Sequence, residues 1–158
     1  MIAEHDPPRS YSQWLDAFAY LQEHPLDVEM LDALIQGSYS GVPAPAFLER
    51  LSNTVSLLLT RHCRRFLRQM DEAFADGEPD YIPVLAARLR RNIDRCLFYR
   101  KLNFLELGFV RTLDQGFREQ LDSFWNNLLR ELGKSARESG SPELEDLVLE
   151  LKRIHILN

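Results

Sequence analysis

The sequence predicts an all-α protein: an antiparallel helical bundle of about five or six helices with two or three long central helices. Three observations predict it. From Phe47 to Phe74 apolar residues recur at steps of three and four, which is the period of one helix face and not the alternation of a strand. From Phe109 to Leu132 a second stripe recurs at steps of four and three, again the spacing of one helix face. Clusters such as Asp76-Gly77-Glu78-Pro79 and Ser139-Gly140-Ser141 separate these stretches. A chain of 158 residues suits one hydrophobic core. It reads as a single helical domain over 1–158, with an irregular lead-in over 1–9 and an appended C-terminal helix over 141–158.

The lead-in contains Pro7 and Pro8. Ser10, with Gln13 three residues later, forms a capping box that starts a helix through about Gln22. Trp14, Leu15, Phe18 and Leu21 are its apolar stripe, and Pro25 closes it. A short helix from Asp27 to about Gln36 then presents Met30, Leu31, Leu34 and Ile35, and Gly37 to Gly41 read as a turn or loop. The long helix follows Pro43 and Pro45 and carries Phe47, Leu48, Leu51, Val55, Leu58, Leu59, Cys63, Phe66, Leu67, Met70 and Phe74. About thirty helical residues span roughly 45 Å, longer than a small core is wide. Such a helix needs long neighbours, a bend or a partner.

Asp80 is the expected N-cap of the next helix, in which Pro83 sits in the tolerant first turn. Its inward positions are Val84, Leu85, Leu89, Ile93, Cys96 and Leu97, and it stops or bends near Arg100 to Phe104. The second long helix begins at about Leu105 with the stripe Phe109, Leu113, Phe117, Leu121, Phe124, Leu128 and Leu132, and Gly133 is its expected end. Gly108 and Gly116 each lower its propensity by about 1 kcal/mol relative to Ala, and open room for another backbone. Ser141 and Pro142 match the N-cap and first position of a final helix buried through Leu144, Leu147, Val148, Leu151 and Ile154. The helices centred on 47–74 and 105–132 are expected to pair as the bundle's axis.

The formal charge of −5 is unevenly placed. Residues 1–49 hold eight acidic and one basic group, residues 50–101 eleven basic and six acidic, and residues 102–158 ten acidic and seven basic. A uniformly basic nucleic-acid coat is absent. Sixteen of the nineteen cations are arginine, whose rigid fork suits carboxylates or phosphates. The start lacks the basic and apolar regions of a secretory signal, and no stretch reaches the length of a membrane span, so a cytoplasmic place is expected. Cys63 and Cys96 read as reduced, buried thiols.

No Cys-x2-Cys, His-Glu-x-x-His or Glu-x-x-His helix pair occurs, and no glycine-rich phosphate loop or nucleophile elbow. Asp71-Glu72 read as solvated helix charge, and His62 as a residue bordering the core. No catalytic residue, metal or cofactor is expected.

Recognition surfaces are better represented. Arg61, Arg64, Arg65 and Arg68 occupy i, i+3, i+4 and i+7 of the long helix, and Arg88, Arg91 and Arg95 repeat that spacing on the next. Packed antiparallel, the two stripes would meet on one electropositive face. That face has three readings: solvated or paired within the chain, protein-binding, or phosphate-binding with a strong salt dependence. Arg68 with Glu72 and Arg90 with Asp94 are the expected internal pairs. Tyr39, in its Gly- and Pro-bounded segment, and Trp125, off the centre of the apolar stripe, are further contact candidates, each with a packed core position as the plainer reading. The functional expectation is therefore a non-enzymatic protein-interaction module, an adaptor, assembly chaperone or regulator, with homodimerisation possible through its long helices. A helical nucleic-acid-binding regulator using the Arg face is the competing expectation.

Overall fold

Local hydrogen bonds set most of the helix ends in the computed structural model, which describes residues 5–156. Helix α1 spans Tyr11–Glu23, and the Ser10 hydroxyl accepts from the Gln13 backbone N–H at 3.2 Å. The Gln13 side chain reaches back one residue further than a capping box requires, accepting from the Arg9 N–H at 2.7 Å. The lead-in is irregular but anchored: Pro8 is buried and its carbonyl accepts from the Ser38 N–H at 2.9 Å. Helix α2, Val28–Leu34, is capped by Asp27, which accepts from the N–H groups of Glu29 and Met30 at 3.2 and 3.3 Å.

Helix α3, Pro45–Ala75, is 31 residues long and takes its proline at the start, where the missing N–H costs nothing. It closes in a Schellman turn. Gly77 adopts φ 70°, the Glu78 N–H donates to the Ala73 carbonyl at 2.8 Å and the Gly77 N–H to the Phe74 carbonyl at 3.1 Å. Asp80 does not cap the following helix. It lies inside a 3-10 turn, Pro79–Tyr81, and α4 runs Ile82–Cys96 with no side-chain cap. A second 3-10 turn, Phe98–Lys101, follows α4. Helix α5, Leu107–Ser139, passes straight through Gly133 and ends at Gly140, which adopts φ 62°. A glycine costs a helix interior only about 1 kcal/mol, so it ends a helix where the chain takes the left-handed conformation. Helix α6, Pro142–Lys152, starts as the sequence predicts, with the Ser141 hydroxyl accepting from the Leu144 N–H at 3.3 Å.

The molecule is all-helical among the described residues, and its six helices pack on one core. The central pair is α3 with α4, joined by the short Gly77 turn and antiparallel. Helix α1 covers α3, α2 covers α4, and α6 lies against α5, α4 and the Pro79–Tyr81 turn. The expected α3/α5 axis is not the tightest pair: α5 runs in the direction of α3 but its backbone stands off, and the two meet through large side chains such as Phe66 and Trp125, ring centres 6.0 Å apart. The buried face of α5 is also turned from the predicted stripe. Phe117, Leu121, Trp125, Leu128, Leu132 and Ala136 are buried, whereas Phe109, Leu113 and Phe124 are half-buried. Gly108 and Gly116 face open space, so neither serves a close backbone approach within the chain.

An aromatic cluster joins the N-terminal elements to the rest. Trp14 is fully buried among Phe47, Phe18, Phe104 and Phe98, with ring centres 5.7 to 6.5 Å away, and its indole N–H donates to the Ser38 carbonyl at 2.7 Å. Gly37 lies flat against that indole: a Cβ there would sit 2.5 Å from the nearest ring carbon and 3.0 Å from the Leu34 carbonyl oxygen. Gly37→Ala is expected to destabilise the fold by about 1–3 kcal/mol through overpacking, read as a lower urea midpoint at unchanged slope.

Candidate functional site

The arginine stripe of α3 divides between two grooves. Arg65 turns toward α4, where with His62, Phe66, Gln69, Leu85, Arg88, Leu89 and Asn92 it lines a shallow α3/α4 groove. Of the two stripes, Arg65 and Arg88 line this groove together. The groove loses its positive character toward the Gly77 turn, where Glu72, Asp76 and Glu78 line its continuation and the Arg88 guanidinium donates to the Tyr81 hydroxyl at 3.2 Å. At the other end Arg95 pairs with Asp32 of the acidic α2 at 3.2 Å. Arg61, Arg68 and Arg91 are exposed. Arg64 points to the opposite side of α3.

That opposite side is the gap where α5 stands off from α3. Thr60, Cys63, Arg64 and Leu67 form one wall and Gln120, Leu121 and Phe124 the other, enclosing about 230 Å³. The lining is mainly apolar, and among the described residues Arg64 is its one charged side chain. The volume falls below the roughly 300–1,000 Å³ usual for small-molecule sites and suits a few inserted side chains. Cys63 and Cys96 are free and buried. Burial pushes the Cys63 thiol up to about 12 from its ordinary 9.0. The thiolate, about a thousandfold scarcer than for an ordinary thiol near neutral pH, is a poor nucleophile. Both cysteines are expected to alkylate orders of magnitude more slowly in the folded chain than in urea, measured by mass spectrometry of each Cys peptide.

Tyr39 is half-buried, with its ring 4.9 Å from that of Phe47 and 5.5 Å from that of Phe104, so the loop it belongs to is packed over the bundle. Trp125 is 7% exposed and belongs to the core rather than the surface; its buried indole N–H has no acceptor among the described residues. Trp125 is closed to a partner, whereas Tyr39 keeps part of its surface exposed. Both rings pack against the core because large rings close to a core stripe bury more apolar area by turning inward.

One cluster was not visible in the sequence. Asp27 accepts from the Tyr20 hydroxyl at 2.5 Å and pairs with the His5 Nε2 at 3.0 Å, beside a cleft of about 280 Å³ lined by His5, Asp6, Gln13, Asp16, Tyr20 and Met30 among others. Burial opposes the Asp27 charge, but the hydrogen bonds from Tyr20, His5 and the Met30 N–H hold its carboxyl below the ordinary range. The His5 and Tyr20 bonds tie the lead-in and α1 to the start of α2. The partners lie 22 and 7 residues from Asp27, in no recurring motif.

Among the described residues no group of three or more His, Cys, Asp and Glu is arranged to hold a metal ion. No helix among them is long and apolar enough to cross a membrane. Comparison with protein-family models, with curated proteins and with solved structures finds no match.

Proposed function

We propose that this chain is a non-enzymatic protein-interaction module, acting in the cytoplasm as an adaptor, assembly chaperone or regulator, and that it receives a helical segment of its partner between α3 and α5. The observation that carries this reading is the open apolar groove of Cys63, Leu67, Leu121 and Phe124 with a single arginine on its rim. A groove between two helices whose backbones stand apart is the receptor half of helix-in-groove recognition: an amphipathic partner helix inserts its apolar side chains between the walls and gains their burial.

The competing reading, a nucleic-acid-binding regulator, draws on the convergence of Arg65 and Arg88. It is weakened by the acidic end of that groove, by the Arg95–Asp32 pair and by the departure of Arg64 to the other side of α3. A gel-shift titration at low salt with no retarded species eliminates it.

The interaction reading is tested by affinity capture with the wild-type chain, with Leu67→Arg in the groove, and with Arg91→Glu on the exposed face of α4. Partners retained by wild type and Arg91→Glu and lost by Leu67→Arg are the expected result. Partners indifferent to Leu67→Arg, or none, defeat it. Sedimentation of the isolated chain tests homodimerisation directly.

A further inference from the structure

We infer that the occupant of the α3/α5 groove is an amphipathic helix of a separate protein that carries acidic side chains on the flank lying beside α3. This rests on the interaction reading above and adds the chemistry of the partner. The two walls of the groove differ. The α5 wall offers Leu121 and Phe124 with only the neutral amide of Gln120 as a polar group. The α3 wall offers Cys63 and Leu67 below Arg64, and Arg61 and Arg68 stand exposed three residues before and four residues after Arg64. Among the described residues no carboxylate pairs with Arg61, Arg64 or Arg68, and the pair expected between Arg68 and Glu72 is not formed.

From Arg61 to Arg68 the helix rises about 10 Å. That matches acidic residues at i, i+3 or i+4, and i+7 on a second helix lying alongside. Arginine forks recognise carboxylates through paired hydrogen bonds, and at the edge of an apolar groove such contacts are less screened than in open solvent. The α3 side thus favours an acidic flank and opposes a basic one, and this asymmetry orients the incoming helix. A second copy of this chain is a poorer occupant because its own long helices, α3 and α5, already commit their apolar stripes to the core.

The test is an anisotropy titration with two dye-labelled designed peptides of about eighteen residues. Both carry leucine at i, i+3, i+4 and i+7; one has glutamate on its flanks and the other lysine. The glutamate peptide is expected to saturate the chain and the lysine peptide to bind at least tenfold more weakly. The double variant Arg64→Glu/Arg68→Glu, which changes only exposed side chains and leaves the fold intact by circular dichroism, is expected to weaken the glutamate peptide at least tenfold and to reverse the preference. Bound glutamate peptide is expected to slow alkylation of Cys63, on the groove wall, more than that of the fully buried Cys96, which it protects only by stabilising the fold. Equal binding of the two peptides, no binding of the glutamate peptide, or no protection of Cys63 overturns the inference. So does micromolar self-association that Leu67→Arg abolishes, which would put a second copy in the groove. The two readings fail separately: capture of partners that depends on Leu67→Arg but ignores Arg64→Glu/Arg68→Glu overturns the acidic helix and leaves the interaction module standing.

Discussion

Trp14→Ala is expected to cost about 3–5 kcal/mol, the range for deleting a fully buried aromatic side chain. Trp14 has no exposed surface and touches the aromatic rings of three other segments: Phe47 at the start of α3, Phe98 in the turn after α4, and Phe104 before α5. Its removal leaves a cavity where those segments meet and strips the Ser38 carbonyl of the indole donor. Domains of this size are stable by about 5–15 kcal/mol, so the variant is expected to sit near the edge of folding. Urea unfolding followed by tyrosine and tryptophan fluorescence measures the loss. Trp14→Phe separates the two contributions, because it keeps most of the ring and loses the hydrogen bond. It is expected to cost more than Trp125→Phe, since the Trp125 N–H is buried with no acceptor among the described residues and its removal relieves a penalty of about 1–3 kcal/mol. Equal losses at the two positions would refute that account.

The second large effect is acid destabilisation through His62. The ring is 2% exposed, and its Nε2 lies 3.1 Å from the Pro25 carbonyl oxygen, to which the neutral Nε2–H tautomer donates. Burial pulls the imidazole down from 6.5 to about 4, the Pro25 carbonyl working against the shift and the Arg65 charge with it. Between those two values the unfolded chain binds the proton and the folded chain does not. Stability is therefore complete above pH 6.5, falls as the pH drops toward 4, and changes no further on this account below 4. The loss across that window is about 3 kcal/mol. It is expected in urea unfolding of the wild type between neutral and acid pH, and is expected to be much reduced in His62→Gln, whose amide can also donate to the Pro25 carbonyl. The Asp27 carboxyl, held low by Tyr20 and His5, acts in the same direction but at lower pH, and acts equally in both proteins. An equal loss in wild type and His62→Gln would show that His62 is not the acid-sensitive group.

Where the sequence could be read, the information was local. Ser10, Asp27, Pro45, Gly77 and the Ser141-Pro142 pair mark helix ends because each supplies its hydrogen bond or backbone angle within a few residues. Where two local signals competed, context chose between them. Gly133 and Gly140 are equal as glycines, and only Gly140 takes the left-handed conformation, because the apolar residues up to Ala136 keep α5 packed beyond Gly133. Asp80 had the right chemistry for a cap but lies in a turn that Pro79 begins.

The candidate site was legible only in pieces. The two arginine stripes were visible, and so was Leu67 as an apolar residue of α3. Their division between two grooves was not, because Arg64 and Arg65 are adjacent on a helix and so diverge by about 100°. Trp125 and Phe124 present the same ambiguity: adjacent aromatics compete for one core position, and the ring of Phe66 across the gap decides for Trp125.

By itself the sequence determined that this chain is a bundle of helices, where several of those helices begin or end, and that its cations are concentrated in the central third. Those properties depend on backbone hydrogen bonds and on periodicity within one segment. Only the tertiary structure decided that α3 pairs with α4, that α5 stands off from α3, and that an apolar groove with Arg64 on its rim is left between them. Interaxial distance depends on the summed volumes of side chains from several helices, and a half-buried residue such as Phe124 is assigned to core or groove by neighbours far away in the chain.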